Sequence, residues 1–213
     1  MKALLAQALA ILDAPPAITD WSLGGGAALT LRHRHRVTRG VDIFVRNLDA
    51  VSTRTGISVA EPGALRFYVP EGEITFIASR ALTAPSVRKE KVLGREIWVQ
   101  TSAEIVAQKL WHRAARFSAR DVTDFAIVVR RERRALAQLE PVIAARRATL
   151  LDRLERHEEA LREDFAALDL LELRANFDEC LALVRKALAR GNRAEQEPAL
   201  YRVLGGFAFA GAG

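Results

Sequence analysis

Residues 21–46 read WSLGGGAALTLRHRHRVTRGVDIFVR, and this stretch decides the fold. It predicts a short apolar strand, a triple glycine at Gly24–Gly26, a helix over Ala27–Arg32 and a second apolar strand over Val41–Val45. Consecutive glycines after a strand let the backbone turn sharply and let a ligand approach the main chain. The helix that follows presents free N–H groups at its N-terminus, which attract an anion. The stretch therefore predicts a phosphate site at the glycine turn.

A lone acid, Asp42, lies within the second strand between apolar neighbours. Burying a carboxylate costs free energy unless a cation or a hydrogen-bond donor compensates it. A metal ion is one such compensator, so Asp42 is a candidate metal ligand.

The chain has 213 residues, of which 50% are hydrophobic, enough for one sizeable core or for two smaller cores joined tightly. No apolar run approaches the roughly 20 residues of a membrane span. Met1–Leu12 is expected to form an amphipathic first helix rather than a signal peptide. The single cysteine, Cys180, excludes an internal disulfide and indicates a reducing compartment. We therefore expect a globular cytoplasmic protein with no membrane association.

The formal net charge of +6 favours an anionic partner. Between residues 32 and 46 five arginines face a single acid, Asp42: Arg32, Arg34, Arg36, Arg39 and Arg46. Their placement beside the glycine turn suits a polyphosphate or a nucleic-acid backbone. A solvated cationic helix end is the other interpretation, and charge alone favours neither.

Strand signals continue to about residue 100 and then stop. Four further strands are predicted, over Leu65–Val69, Glu73–Ala78, Val87–Val92 and Glu96–Val99. Beyond Thr101 the apolar spacing is helical, with Ser102 expected to cap the first helix and Ser118 or Asp121 the next. Pro141 is expected to break or begin another helix. These elements predict an α+β fold, with a small mixed-sheet module over residues 1–100 followed by a helical half over residues 101–213.

A second polar cluster lies in residues 104–125, which read EIVAQKLWHRAARFSARDVTDF. Lys109 and Arg113 are one helical turn apart and therefore share a face. Asp121 and Asp124 open the next helix, whose dipole favours carboxylates at that end. On the residues alone, a capping and salt-bridge arrangement at a helix junction is the favoured interpretation.

Both clusters resemble the signature of the nucleotidyltransferase superfamily, most closely that of its abortive-infection AbiEii/AbiGii toxin branch. That branch carries a Gly-Gly-Thr-Ala-Leu turn, then His-Arg, a Ser or Thr, and an Asp-x-Asp pair on a strand. A later helix carries a Lys, followed by Arg-Asp-x-x-Asp-Leu. The matching positions are Gly25, Gly26, Ala27, Ala28, Leu29, His35, Arg36, Thr38 and Asp42 for the first motif, and Lys109 and Arg120–Phe125 for the second. Two ordered motifs are more specific than either alone.

The resemblance implies a nucleotidyltransferase-like fold and a metal-dependent transfer of a nucleotide from a nucleoside triphosphate to an acceptor such as tRNA or another RNA. It also implies a toxin of the toxin–antitoxin or abortive-infection type, with Mg²⁺ as cofactor and an antitoxin protein as a possible partner. The implied nucleotide-binding residues are Gly25, Gly26, Arg36 and Thr38. The implied catalytic residues are Asp42, Lys109 and Asp121, with Asp42 also the metal ligand.

One position departs from the pattern, because Gly40 stands where the family has the first Asp of the pair. In the family the two carboxylates hold the magnesium that carries the triphosphate. A second interpretation is therefore a catalytically impaired relative that binds a nucleotide, RNA or a protein without turnover. A third is that Gly40 is an inactivating replacement in a protein whose parent has Asp there. Glu73 is the nearest candidate for a further carboxylate on the sheet.

Overall fold

The computed structural model describes residues 1–57 and 62–190, and within these ranges the chain forms one six-stranded sheet and eight α-helices. The strands are β1 Trp21–Gly24, β2 Gly40–Val45, β3 Ala64–Val69, β4 Gly72–Ile77, β5 Val87–Val92 and β6 Arg95–Gln100. The helices are α1 Lys2–Asp13, α2 Gly25–His33, α3 Asp49–Thr55, α4 Ser102–Arg113, α5 Ala119–Arg131, α6 Ala135–Arg156, α7 Glu158–Ala166 and α8 Phe177–Arg190. The predicted α+β fold is confirmed. Residues 191–213 of the predicted helical half lie outside the described part.

The sheet has the strand order β3-β4-β2-β1-β6-β5 and is mixed. The two central strands, β1 and β2, are antiparallel, while β2 pairs with β4 and β1 with β6 in parallel. Antiparallel pairs, β3 with β4 and β5 with β6, complete the two edges. The parallel pairing of β2 with β4 brings residues from a distant part of the chain beside the strand that carries Asp42.

Strand β2 separates the core from the candidate site. Val41, Ile43 and Val45 are buried, while Asp42 and Phe44 alternate with them and are only partly exposed. Because successive side chains of a strand point to opposite faces, Asp42 projects from the face opposite the one that carries Val41. The apolar face joins α1, α2 and the helical half in one hydrophobic cluster. The carboxylate is thus fixed on a strand that packing holds rigidly.

Two predicted helix boundaries are corrected by the structure. Thr101, rather than Ser102, caps α4, because its side chain accepts a hydrogen bond from the N–H of Glu104. Pro141 neither breaks nor begins a helix, since it lies inside α6. The carbonyl that loses its helical donor is that of Ala137, an exposed residue to which water has access. No helix in residues 1–57 or 62–190 is long and apolar enough to cross a bilayer.

Candidate functional site

The glycine turn stands directly against Asp42. Strand β1 ends at Gly24 and α2 begins at Gly25, whose φ of +61° lies in the left-handed region that favours glycine. A Cβ at position 25 would overlap the Asp42 carboxylate, and one at position 26 would stand 2.6 Å from Nη2 of Arg36. Both glycines therefore leave space that these side chains fill. Among the described residues no side chain caps the N-terminus of α2, so its first N–H groups remain open to an anion.

Burial and nearby charges act in opposite directions on the pKa of Asp42. Burial raises the pKa of its carboxyl, the charge of Lys109 opposes that effect, and the charge of Glu73 adds to it. Charged groups distant in sequence therefore act on Asp42 through space: Glu73 raises its pKa, while Lys109, Arg113 and Arg66 lower it. This is the environment of a carboxylate that an added cation would stabilise.

Asp124 is the hub of the polar network behind the site, and its side chain is fully buried. Oδ1 accepts hydrogen bonds from Nε2 of His35 and Nε of Arg36, both at 2.7 Å, and Oδ2 accepts one from Nη2 of Arg36 at 2.9 Å. Burial alone would raise the pKa of Asp124, but the charges of Lys109 and Arg36 and these hydrogen bonds hold it well below its usual value. Asp124 is therefore ionised and compensated on both oxygens.

Lys109 bridges the network and the site. Its Nζ lies 2.7 Å from Oδ1 of Asp121 and 2.9 Å from Oδ2 of Asp124. Burial works to lower the pKa of Lys109, but the two carboxylates outweigh it and the pKa is raised, so the ammonium group is charged. An ammonium group has three N–H donors, and two of them suffice for these partners. The third N–H has no partner among the described residues, and the charge of Lys109 acts on Asp42.

Asp121 is held in place by its own helix terminus. Ser118 caps α5 in a capping box, because its Oγ accepts from the N–H of Asp121 at 3.4 Å and its own N–H donates to Oδ2 of Asp121 at 3.0 Å. The Ser118 hydroxyl also donates to this Oδ2, at 2.8 Å. Nη2 of Arg113 lies 3.2 Å from the same oxygen. The capping interpretation and the site interpretation of the sequence are thus compatible, because one carboxylate both caps α5 and pairs with Lys109.

Arg36 and Thr38 lie between the glycine turn and Asp124. The Arg36 guanidinium is buried, and its Nη1 donates to the carbonyl of Val37 and to Oγ1 of Thr38, both at 3.2 Å. Oγ1 of Thr38 also lies 3.1 Å from Oγ1 of Thr30. With the two bonds to Asp124, all three guanidinium nitrogens have acceptors inside the protein. Arg36 therefore orients Asp124 and supports the turn.

Glu73 stands next to the position of the missing carboxylate. The parallel register of β2 and β4 pairs Gly40 with Glu73 and Asp42 with Thr75. A Cβ at Gly40 would lie 3.8 Å from the Cβ of Glu73. Oε1 of Glu73 accepts hydrogen bonds from Nη1 of Arg66 and Oγ1 of Thr75, both at 2.8 Å. An acid on the neighbouring strand thus borders the space that the first Asp of the pair would occupy.

Few side chains near the glycine turn could act as metal ligands, but those present suit Mg²⁺. No group of three or more His, Cys, Asp or Glu side chains in the described ranges is arranged to hold a metal. Mg²⁺ is commonly bound through one or two carboxylates together with substrate phosphates and water. Asp42 and Glu73 supply that number.

Nearby, Oε1 of Gln100 is buried without a hydrogen-bond partner among the described residues and lies where a Cβ of Gly24 would stand, so it can accept from a water or a hydroxyl group.

The arginines beside the glycine turn do not form an open cationic surface. Each has an acidic partner within 4 Å: Arg32 with Glu90, Arg34 with Glu172, Arg36 with Asp124, Arg39 with Asp169 and Arg46 with Asp20. Their excess over acids in the sequence is therefore balanced by residues from distant segments. The interpretation of this cluster as a free phosphate-backbone surface is not supported by these pairings.

The structure brings the two predicted motifs together. Gly25 and Gly26 border Asp42 and Arg36, and Arg36 joins Thr38 to Asp124, which shares Lys109 with Asp121.

Sequence reasoning gave no role at the site to Asp124, and it named Glu73 only as a candidate for a further carboxylate. The i,i+3 spacing of Asp121 and Asp124, matched to the i,i+4 spacing of Lys109 and Arg113, was the available signal for Asp124. Nothing local distinguished Glu73 from a solvated residue at the start of a strand.

Comparisons with known proteins identify the fold to which this geometry belongs. No protein-family model matches the sequence, and no curated protein matches it. Among solved structures, the chain is similar to the nucleotidyltransferase toxin MenT4 from Mycobacterium tuberculosis, with a TM-score of 0.51 and 20% identity over 90% of this chain and 84% of that one. It is also similar to the antibiotic-resistance factor ANT(2'')-Ia, with a TM-score of 0.51 and 15% identity over 75% of this chain and 97% of that one. The chain therefore has the nucleotidyltransferase fold.

Proposed function

We propose that this protein is a metal-dependent nucleotidyltransferase that moves a nucleotide from a nucleoside triphosphate to an acceptor such as tRNA. The observation that carries the proposal is the packing of the Asp42 carboxylate against the Gly25 turn, with the charge of Lys109 beside it. A carboxylate, uncapped N–H groups at a helix N-terminus and a buried ammonium group are the parts that this chemistry requires at one place. The other polar residues described near the site act as supports.

The triphosphate would be bound from two sides. The open N–H groups at the start of α2, at Gly25 and Gly26, would donate to its phosphate oxygens. The third donor of Lys109 would face the leaving pyrophosphate, since Asp121 and Asp124 fix the other two. Arg36 and Thr38 would hold the glycine turn and Lys109 in position and would not contact the substrate with their own charge. Catalysis of this kind depends mainly on positioning and on charge neutralisation.

Asp42 and Glu73 are the residues that would hold Mg²⁺. The ion, when bound, supplies positive charge to the triphosphate oxygens. The protein's part is to keep two carboxylates on adjacent strands of a packed sheet, so that they need not reorganise. The raised pKa of Asp42 fits this role, because a carboxylate destabilised by burial gains more from a cation.

The biological setting is proposed by analogy. MenT4 is a nucleotidyltransferase toxin, and the two sequence motifs resemble the AbiEii/AbiGii toxins. We therefore propose a cytoplasmic toxin whose acceptor is tRNA or another RNA and whose activity an antitoxin protein restrains. The analogy is at the level of fold and motif, since function resides in the site.

A second candidate function follows from Gly40. With one member of the Asp-x-Asp pair replaced, the chain would bind a nucleotide, RNA or a protein without turnover. The structure permits a direct comparison of the two candidates. The φ of Gly40 is outside the left-handed region, and a Cβ there meets no atom closer than 3.4 Å. Asp is therefore expected to fit at residue 40 without distorting β2.

The test is incorporation of labelled nucleoside triphosphates into total tRNA and total protein with Mg²⁺. It compares the wild-type chain with Gly40→Asp and Asp42→Ala. Transfer by the wild type that Asp42→Ala abolishes would support an active enzyme. Transfer by Gly40→Asp alone would support the impaired form. Absence of transfer by both, with folding verified by circular dichroism, would contradict the enzymatic proposal for these acceptors.

A further inference from the structure

A groove of about 710 Å³ lies apart from the glycine turn. Five arginines line it, one from β5 and four from the end of α5 and the turn that follows: Arg88, Arg130, Arg131, Arg133 and Arg134. Among the described residues of its lining, the only acid is Glu132. We call this surface the arginine groove.

Four of the five arginines in the groove have no ion pair with a described residue, whereas Arg88 shares the Glu90 carboxylate with Arg32. Arg133 and Arg134 are exposed, and neither side chain has a hydrogen bond or ion pair with another described residue. Arg130 and Arg131 donate only to main-chain carbonyls, those of Arg174 and His33. These bonds hold the two side chains without cancelling their charge.

Glu132 does not neutralise its neighbours. Its Oε1 accepts a hydrogen bond from Oγ of Ser102 at 2.6 Å and lies 2.8 Å from Nε2 of His33. The hydrogen bond from His33 and the other contacts outweigh burial and lower the pKa of Glu132 to about 2. The one carboxylate described in the groove is thus directed toward α2 and the start of α4.

The main chain adds donors to the same surface. The groove includes Thr101, Ser102 and Ala103 at the start of α4. At the start of α6, by contrast, the N–H of Ala135 already donates to the carbonyl of Glu132. Oγ1 of Thr101 donates to the carbonyl of Pro85 and accepts from the N–H of Glu104, so it caps neither of the earlier N–H groups of α4, those of Ser102 and Ala103. Guanidinium groups and helix N-termini both favour phosphate oxygens.

From these observations we propose that the arginine groove binds the phosphodiester backbone of a nucleic-acid strand. Arginine pairs with phosphate in bidentate geometry, and a cluster of arginines that mostly lack carboxylate partners matches a repeating anion. A protein partner would be expected to find aromatic or large aliphatic anchors, but the apolar lining consists of Pro85, Ala103 and Ala135. The composition of the groove therefore favours a nucleic acid over an acidic protein.

The groove is separate from the site at Asp42. Asp121 and Asp124 lie at the start of α5, whereas Arg130 and Arg131 are in its last turn. Ten residues of helix span about 15 Å. The proposal depends on the proposed function only for the statement that the bound strand is the acceptor, and binding itself is independent of catalysis.

Binding is tested with the full chain and a fluorescein-labelled 20-nucleotide single-stranded RNA, by anisotropy without nucleotide or Mg²⁺. The test variant is Arg133→Ala/Arg134→Ala. The control is Arg116→Ala/Arg190→Ala, two exposed arginines without described partners that lie outside the groove. Each phosphate contact to a single strand contributes about 0.7 to the salt slope, so we expect the slope to fall by about 1.4 and affinity to fall about 25-fold at 0.1 M salt. The control should change neither by more than about twofold.

Further binding measurements distinguish the classes of anion that the groove could bind. Arg133→Lys/Arg134→Lys should recover the salt slope, because the charges return, and Asp42→Ala should bind RNA as the wild type does. Equal weakening in test and control would overturn the proposal in favour of general charge attraction. Displacement of RNA by tripolyphosphate at equal phosphate concentration would indicate an isolated anion site, and equal displacement by poly-glutamate would indicate an acidic protein. Either result would also overturn it, whatever the outcome of the transfer assay.

Discussion

Oδ2 of Asp42 occupies the space that a side chain at residue 25 would require, so Gly25 and Asp42 form one steric unit. The left-handed φ of Gly25 turns β1 into α2 at the point where the carboxylate projects from β2. The turn and the acid, 17 residues apart in sequence, are thereby brought into contact by the antiparallel pairing of β1 with β2. A change at either residue is therefore expected to affect the other.

Gly25→Ala should destabilise the fold and displace Asp42. The left-handed backbone alone costs a non-glycine residue about 1–2 kcal/mol, and the overlap with the carboxylate adds to it. Urea unfolding should show a loss of about 3 kcal/mol or more. Gly56→Ala is the matched control, because its φ is +69° and no atom of a described residue lies within 4 Å of its Cβ position, so it should lose only the backbone contribution. Equal losses in the two variants would refute the steric coupling.

Asp42→Asn should raise stability at neutral pH. The pKa of Asp42 is raised by burial, so the folded state binds its proton more readily than the unfolded chain, and stability is lost as pH rises through that pKa. Removing the ionised group should increase Tm by about 2–4 °C at pH 7, with a smaller increase near pH 4. Thermal melts at the two pH values measure this. A lower Tm at pH 7 would mean that Lys109 already compensates the carboxylate.

Glu73→Gln should weaken divalent-metal binding. If Asp42 and Glu73 share the ion, loss of one carboxylate should reduce Mn²⁺ affinity about tenfold or more, measured by electron paramagnetic resonance without nucleotide. Gly40→Asp in the Glu73→Gln background should restore affinity, since its side chain would enter the space beside Glu73. Glu71→Gln, on the exposed turn before β4, is the control. Unchanged Mn²⁺ affinity in Glu73→Gln would remove Glu73 from the metal site.

Asp124→Asn should be strongly destabilising. It would leave Arg36, Lys109 and His35 buried around a neutral group, and breaking a buried charge network from one side costs about 3–5 kcal/mol. Chemical denaturation gives the free energy of unfolding. Asp152→Asn removes a carboxylate from the exposed i,i+4 pair with Arg156 and should cost no more than about 0.5 kcal/mol. A loss below about 1 kcal/mol in Asp124→Asn would show that the network is not coupled as described.

Glu132 should contribute to acid sensitivity. Its pKa of about 2 is below the ordinary 4.5, so its stabilisation is present above pH 4.5 and is lost as pH falls toward 2. Glu132→Gln should therefore cost about 1–2 kcal/mol at pH 6, after allowance for solvent screening, and almost nothing near pH 2. Urea titrations across this range test the trend. The exposed Glu155→Gln should show no such pH dependence.

Local chemistry explains why much of the fold could be predicted. The glycine turn, the apolar alternation of β2 and the helical spacing beyond residue 101 are each encoded within a few neighbouring residues. The capping box of Ser118 and Asp121 is equally local. The errors at Ser102 and Pro141 were local too, because Thr101 competed for the cap and helix context outweighed the proline. The roles assigned to the site residues remain predictions.

The sequence by itself determined the turn at Gly25 and the face from which Asp42 projects, because periodicity and glycine geometry act over short range. Only the tertiary structure decided which charges meet. Parallel pairing of β2 with β4 placed Glu73 beside Gly40, and helix packing placed Lys109 between Asp121 and Asp124. The arginines near the turn found acids in remote segments, while the side chains of Arg133 and Arg134 found none among the described residues. The energy of a Coulomb interaction depends on the distance between two charges in space. Strand order and packing set that distance, and it cannot be read from the spacing of residues along the chain.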